Sequence, residues 1–182
     1  MEVRIAGREL IDSEKLISGL KISGGCFVDV CSGGHGHFVV PAAREAGSGR
    51  VVAVDISAKI LEALAWHLNQ HNLENVELLR GDVERYRGVP LKNEEADVVL
   101  LANYFHLLSA PTLALEEIAR ILNIDGRLVI VGPKKESPFY GLANTRKMSE
   151  DVIRLFLLEH GFAQTRTFSA GPHHFCAVFQ KV

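Results

Sequence analysis

At 182 residues the chain has the length of one ordinary domain and can bury a sizeable core. A formal net charge of -2, from 20 basic and 22 acidic side chains, gives no electrostatic footprint for nucleic acid. No apolar run is long enough to cross a bilayer, and the first residues lack the basic-then-apolar order of a secretory signal.

Residues 1–10 alternate weakly and read as a short strand or an extended arm. Asp12-Ser13 offers an N-cap for a small helix through Leu20, and Gly24-Gly25 closes a short N-terminal cap of residues 1–25. Residues 26–30 read as the first strand, 38–46 as a helix with Pro41 tolerated in its early turns, and 50–54 as the second strand. Ser57 then caps a longer helix whose apolar face is Ile60, Leu61, Leu64, Ala65 and Leu68. The third strand covers 75–79, followed by Gly81-Asp82 and an irregular polar stretch to Asn93.

Residues 96–102 are almost wholly apolar and β-branched, as expected of a central strand covered on both faces. Pro111 starts a helix through Leu122 that is expected to bury Leu113, Leu115, Ile118 and Ile121. Asp125-Gly126 is read as the turn into a fifth strand over 127–131. The longest loop spans 133–147, and Ser149 caps a last helix ending at Gly161. Two runs remain, 163–168 and 175–182. Only residues 169–174 separate them, too few for a parallel crossover, so they must pair antiparallel.

The stretch from Cys26 to Asp55 organises the rest. A β-branched run carrying Asp29 turns through Cys31-Ser-Gly33-Gly34-His35-Gly36, opens a helix, and leads to a second strand ending in Asp55. That is the opening βαβ of a nucleotide-binding parallel sheet. Glycines let backbone amides approach a ligand where a Cβ would block contact. The start of the next helix adds unpaired N–H groups and the positive end of its dipole. Asp55 lies about twenty residues past the loop, where a carboxylate can grip ribose hydroxyls. The structural alternatives are that Asp55 caps the helix begun at Ser57, that Asp82 only forms a turn after Gly81, and that Asp29 orients the loop. Cys26 and Cys176 fall in strands and read as small buried apolar residues. With Cys31 they make an odd set without metal-ligand spacing, so a reducing, cytoplasmic setting is expected.

Four stretches together resemble the class I S-adenosylmethionine-dependent methyltransferases, over about residues 12–182. The likeness is nearest to the small-molecule branch that includes the ubiquinone/menaquinone C-methyltransferases. Val28-Asp-Val-Cys-Ser-Gly33 resembles the first motif, and Val52-Ala-Val-Asp55-Ile-Ser the ribose-binding second strand. Gly81-Asp82-Val83 resembles the adenine-binding turn, and Asp97 to Ile130 the fourth strand through the fifth. The resemblance implies an α/β, Rossmann-like three-layer sandwich, as a single domain over 1–182. Its seven-stranded, mostly parallel sheet would have the order 3-2-1-4-5-7-6 and end in an antiparallel hairpin. It implies S-adenosylmethionine as cofactor and S-adenosylhomocysteine as product, held by Asp29, Cys31, Gly33 and Gly34 of the first motif. Asp55 and Ile56 would serve the ribose strand, and Asp82 would accept from the adenine amine beside the Val83 amide. Asn103 would give a backbone contact to the methionine portion.

Two positions depart from the family pattern. Cys31 stands where the motif has its first glycine, and fits if φ stays negative. The last glycine falls on His35, unless the loop carries one extra residue and Gly36 takes its place.

Methyl transfer from a reactive sulfonium needs chiefly alignment and exclusion of water, and requires no metal. An oxygen or carbon acceptor must also lose a proton, for which His106 is the first candidate, with Tyr104 shaping the site. Phe105, Phe139 and Tyr140 point to a small, partly apolar acceptor, and a second copy of the chain could complete the site. Asn103-Tyr-Phe lacks the paired prolines of the amino-directed nucleic-acid methyltransferases. His35, His37, His106, His173 and His174 are expected near one rim, as a base, a metal site or ordinary polar loop residues. Two competing readings remain open here. A nicotinamide oxidoreductase would want Gly or Ala where Val39 stands. A module could also bind the cofactor without chemistry of its own.

Overall fold

A computed structural model describes residues 11–138 and 148–182. The arm read at 1–10, and Phe139 and Tyr140 in the long loop, lie outside the described residues. The described strands form one seven-stranded sheet: β1 (Cys26–Val30), β2 (Arg50–Asp55), β3 (Val76–Arg80), β4 (Ala96–Ala102), β5 (Leu122–Pro133), β6 (Phe162–Ser169) and β7 (His174–Lys181). Their order is β3-β2-β1-β4-β5-β7-β6. The first five run parallel, while β7 pairs antiparallel with both β5 and β6. The short spacer between the last two strands forces that hairpin, as the spacing required.

Helices α1 (Ser13–Leu20), α2 (Val39–Glu45) and α3 (Ala58–Gln70) cover one face of the sheet; α4 (Pro111–Ile121) and α5 (Glu150–Glu159) cover the other. Alternation along the strands divides the core accordingly. Phe27, Val51, Ala53, Val98 and Leu100 pack with α1 to α3, while Val28, Val30, Val52, Val54, Val99 and Leu101 pack with α4 and α5. Asp29 and Asp55 share the parity of the first set, so both carboxylates leave the sheet on the side of the glycine loop.

Two sequence expectations are corrected. Asp125-Gly126 does not precede the fifth strand but lies inside it: Ala96 pairs with Leu122, and the register slips before Val98 meets Arg127. Leu113 is 43% exposed because the buried arc of α4 is Ala114, Leu115, Glu117, Ile118 and Ile121. A carboxylate takes part in that arc because everything it needs is there. Glu117 accepts from the Arg87 and Val89 N–H groups at 3.0 and 2.9 Å and pairs with Arg120 at 2.6 Å.

At the amino ends of β1, β4 and β5, a cleft of about 330 Å³ opens between Lys21, Gly24, Asp97 and Arg127. Two of its charged groups, Asp97 and Arg127, are turned onto the chain itself. Asp97 accepts from the Cys26 N–H at 2.7 Å and from the Asn123 side chain, and Arg127 donates to the Leu20 carbonyl at 2.6 Å.

Candidate functional site

The opposite end of the sheet carries the residues singled out by the sequence. After β1 the chain swings toward β2, because the Cys31 and Ser32 N–H groups both donate to the Val54 carbonyl, at 2.8 and 3.1 Å. Cys31 is left in the left-handed region, with φ of 62°. The expectation that its φ stays negative is overturned. The double hook onto Val54 fixes the turn, and a small side chain is accepted there at the cost of Cβ crowding, about 1–2 kcal/mol.

Gly33, with φ of 68°, faces open space. Its N–H points at Asp55 Oδ2, 3.4 Å away. The loop's last glycine is Gly36 and not His35. Gly36 has φ of 65°, and a Cβ there would meet Val40 at 3.0 Å and Leu64 at 3.1 Å. The loop closes at Gly36, where it touches α2 and α3. The helix adds fewer free amides than expected, since Val40 N–H is taken by Gly36 O and Pro41 in its first turn has no N–H. Amides for a ligand must come from the loop.

Asp55 is buried at the end of β2 and accepts from Ser57 N–H at 2.9 Å, so it does brace the start of α3, where the Ser57 side chain makes no cap. Ile56 beside it is 57% exposed and offers an apolar surface at the crevice edge. The next strand end is tied in by the Gly81 N–H, which donates to the Asp55 carbonyl at 3.1 Å. Asp82 forms a tight turn: Glu84 N–H donates to its Oδ1 at 3.0 Å, and Arg85 pairs with its Oδ2 at 3.1 Å. Val83 N–H takes part in none of the turn's hydrogen bonds. On the other side of β1, Asn103 follows β4 with φ of 55°, its N–H held by Val131 O at 2.8 Å.

These groups converge. The Cys31 thiol is pushed far above its usual range, first by burial and then by Asp29, Asp55, Glu84 and Asp82. Tyr104 is likewise raised, first by burial and then by Cys31, Glu84, Asp55 and Asp82. One cysteine and one tyrosine thus feel carboxylates from the ends of β1, β2 and β3, and the crevice is strongly acidic. Asp29, only 1% exposed, is pushed up to about 8 by burial and by Asp55, and its Oδ2 has no hydrogen-bond partner among the described residues. Ser32 Oγ and Asn103 Oδ1 are also buried and unpartnered among them. Native interiors rarely leave such atoms unmatched. Three of them where β1 and β4 end, beside the glycine loop and a cluster of carboxylates, fit a ligand with ammonium, sulfonium and hydroxyl groups.

Tyr104 and His106 sit in the loop after β4, His106 within a single 3₁₀ turn, Phe105–Leu107. Burial lowers the His106 pKa below the ordinary histidine value. Phe105 does not line the crevice as expected. It is 2% exposed and packs edge-on against Phe156 of α5, with centroids 6.0 Å apart, because the 3₁₀ turn rotates it into the core. The rim histidines have separate neighbours among the described contacts. His35 leans on His67 of α3 at 5.6 Å, His37 meets Phe38 edge-on, and His174 is buried in β7 opposite Pro133. No group of three or more His, Cys, Asp or Glu side chains with the geometry to hold a metal ion occurs among the described residues.

Ser32 and Glu84 escaped the sequence reading. Ser32 had only its place in the glycine loop to mark it, and Glu84 only its place two residues after Asp82.

Comparisons with known proteins bear on family and fold. Residues 28–130 match the family model described as a methyltransferase domain. A demethylmenaquinone methyltransferase from Lactobacillus johnsonii is 29% identical over 123 residues, 65% of this chain. The chain spans about half of that relative's length, 48%. A crystal structure of an S-adenosylmethionine-dependent methyltransferase from Aquifex aeolicus superposes with a TM-score of 0.84 at 27% identity, covering 95% of this chain and 91% of that one. A protein assigned to the type 11 methyltransferases from Sulfolobus solfataricus shares the fold, with a TM-score of 0.76 at 22% identity and coverage of 95% and 94%. With more than half of its length inside the family model, this chain belongs to the methyltransferase-domain family, among the class I S-adenosylmethionine-dependent methyltransferases.

Proposed function

We propose that this chain transfers a methyl group from S-adenosylmethionine to an oxygen or carbon atom of a small, partly apolar molecule. The observation that carries the proposal is the convergence of Gly33, Asp55 and Asp82 around one acidic crevice. Asp55 would accept from the ribose hydroxyls, with Ile56 against the adenine. Asp82 would accept from the adenine amine while Val83 N–H donates to the ring. Asp29, Cys31, Gly33, Gly34 and Ser32 would surround the methionine portion, together with the Asn103 backbone. When bound, the sulfonium supplies an electrophilic methyl and leaves as a neutral thioether.

The residues on the acceptor side then have two tasks. Tyr104 would wall the crevice and keep water from the transfer path. His106 would take the acceptor's proton onto its imidazole as the new bond forms. The desolvation that lowers its pKa keeps it in the neutral, accepting form at neutral pH. The likeness to a demethylmenaquinone methyltransferase supports a small-molecule acceptor. The acidic crevice and the low net charge offer nothing to a nucleic-acid backbone.

The test is transfer of label from methyl-labelled S-adenosylmethionine into a cell metabolite extract. The expected result is a single labelled small molecule whose structure names the acceptor. One observation favours a second reading, a binding module without chemistry: a non-glycine residue, Cys31, occupies the left-handed turn of the binding loop. That reading expects thermal stabilisation by S-adenosylhomocysteine with no labelled product, and stabilisation by NADH instead would overturn both.

A further inference from the structure

Glu84 joins the turn after β3 to the loop after β4 through a hydrogen bond. Its own N–H donates to Asp82 Oδ1 at 3.0 Å, which shapes the turn after β3. Its carboxylate accepts from the backbone N–H of Ala110, the residue that opens α4. This is the only hydrogen bond between residues 81–90 and 103–110 among the described residues. Between Asn103 and Ala110 lie Tyr104 and the turn carrying His106. The same carboxylate raises both Cys31 and Tyr104, which places it at the crevice and not on the outer surface. The positive end of the α4 dipole favours a carboxylate at that spot.

We propose that Glu84 is a positioning residue that couples the two loops, so that filling the adenine turn stiffens the loop that presents Tyr104 and His106. The proposal rests on the reading of Asp82 and Val83 as the adenine contact. A ligand that orders Asp82 and Val83 also fixes the backbone of Glu84, and hence the direction of its carboxylate. The bond to Ala110 is then made with less loss of freedom than in the empty protein. Coupling of this kind is reciprocal: an ordered acceptor loop tightens cofactor binding by the same factor.

The test reads hydrogen exchange of the Ala110 amide by NMR on the full chain, with and without S-adenosylhomocysteine, alongside the Kd of that ligand. In the wild type, ligand should slow this amide about tenfold, the size of one charge-assisted hydrogen bond. Glu84→Ala and Glu84→Asp, which delete or shorten the acceptor, should bind the ligand yet lose the slowing. Glu84→Gln keeps an oxygen in place and should retain it, a rescue that a general structural role does not predict. No change at Ala110 in the wild type overturns the coupling whether or not any variant folds, and so does equal slowing in wild type and Glu84→Asp. Failure of the wild type to bind S-adenosylhomocysteine at all would instead strike at the reading of the site.

Discussion

Asp29 is the residue whose chemistry is most exposed to measurement. Burial and Asp55 push its carboxyl from the ordinary 3.8 up to about 8, so the folded chain keeps a proton that the unfolded chain releases. The stability this proton contributes is full below about pH 4 and is lost as pH rises toward about 8, at up to about 1.4 kcal/mol per unit. Asp29→Asn should remove that slope. Its melting temperature relative to wild type, both without ligand, should climb across this interval, and parallel curves would contradict the assignment. His106 has the opposite shift, with burial favouring the neutral ring. His106→Ala should lower turnover by about a hundredfold while leaving the Kd of S-adenosylhomocysteine within about twofold. The acid limb of the wild-type kcat/KM should lie below the ordinary histidine value. Equal loss of turnover and cofactor affinity would remove His106 from catalysis.

Residues were also where the sequence was least legible. That Asp55 ends a strand could be read from the β-branched run before it. That Gly36 carries the positive φ in place of His35 could not, because the choice depends on how closely the loop approaches Val40 and Leu64. Phe105 was misread for a similar reason: a single 3₁₀ turn decides which side of the loop faces the core.

At the scale of elements, α4 is held by charge as well as by apolar packing. Arg120 reaches Leu91 O and Val89 O at 2.7 and 2.9 Å, while Glu117 gathers the Arg87 and Val89 amides, so one buried pair stitches the β3–β4 connection to the helix. That connection begins at the Asp82 turn, so its packing bears on the crevice. Glu117→Gln leaves the Arg120 charge without its counterpart in a buried setting, a loss of about 3 kcal/mol. By thermal denaturation this should appear as a drop of about 10 °C, and a shift under about 2 °C would contradict the network's importance. Apolar periodicity locates α4 and buries Leu115, Ile118 and Ile121 correctly, but it puts Leu113 inside and misses Glu117, since a pattern of hydrophobic residues has no place for a buried carboxylate. The antiparallel ending, by contrast, was legible from one number: the few residues between the last two runs.

At the scale of the whole molecule, the order β3-β2-β1-β4-β5-β7-β6 places the carboxyl ends of β1 and β4 side by side at the point where the winding reverses. Ligands enter open α/β sheets at such a switch point. Here the switch point also gathers the Asp29, Ser32 and Asn103 atoms that have no hydrogen-bond partner among the described residues. Fold and family model agree on the architecture, while the acceptor is a property of loops whose walls the strands only position. The central claim is therefore geometric, and a crystal structure of the chain with S-adenosylhomocysteine tests it most directly. The account predicts ribose hydroxyls within hydrogen-bond distance of Asp55, the adenine amine at Asp82 with its ring against Val83, and the amino-acid portion over Gly33. A ligand seated elsewhere, or a crevice that stays closed by its own side chains while the ligand binds, would contradict it.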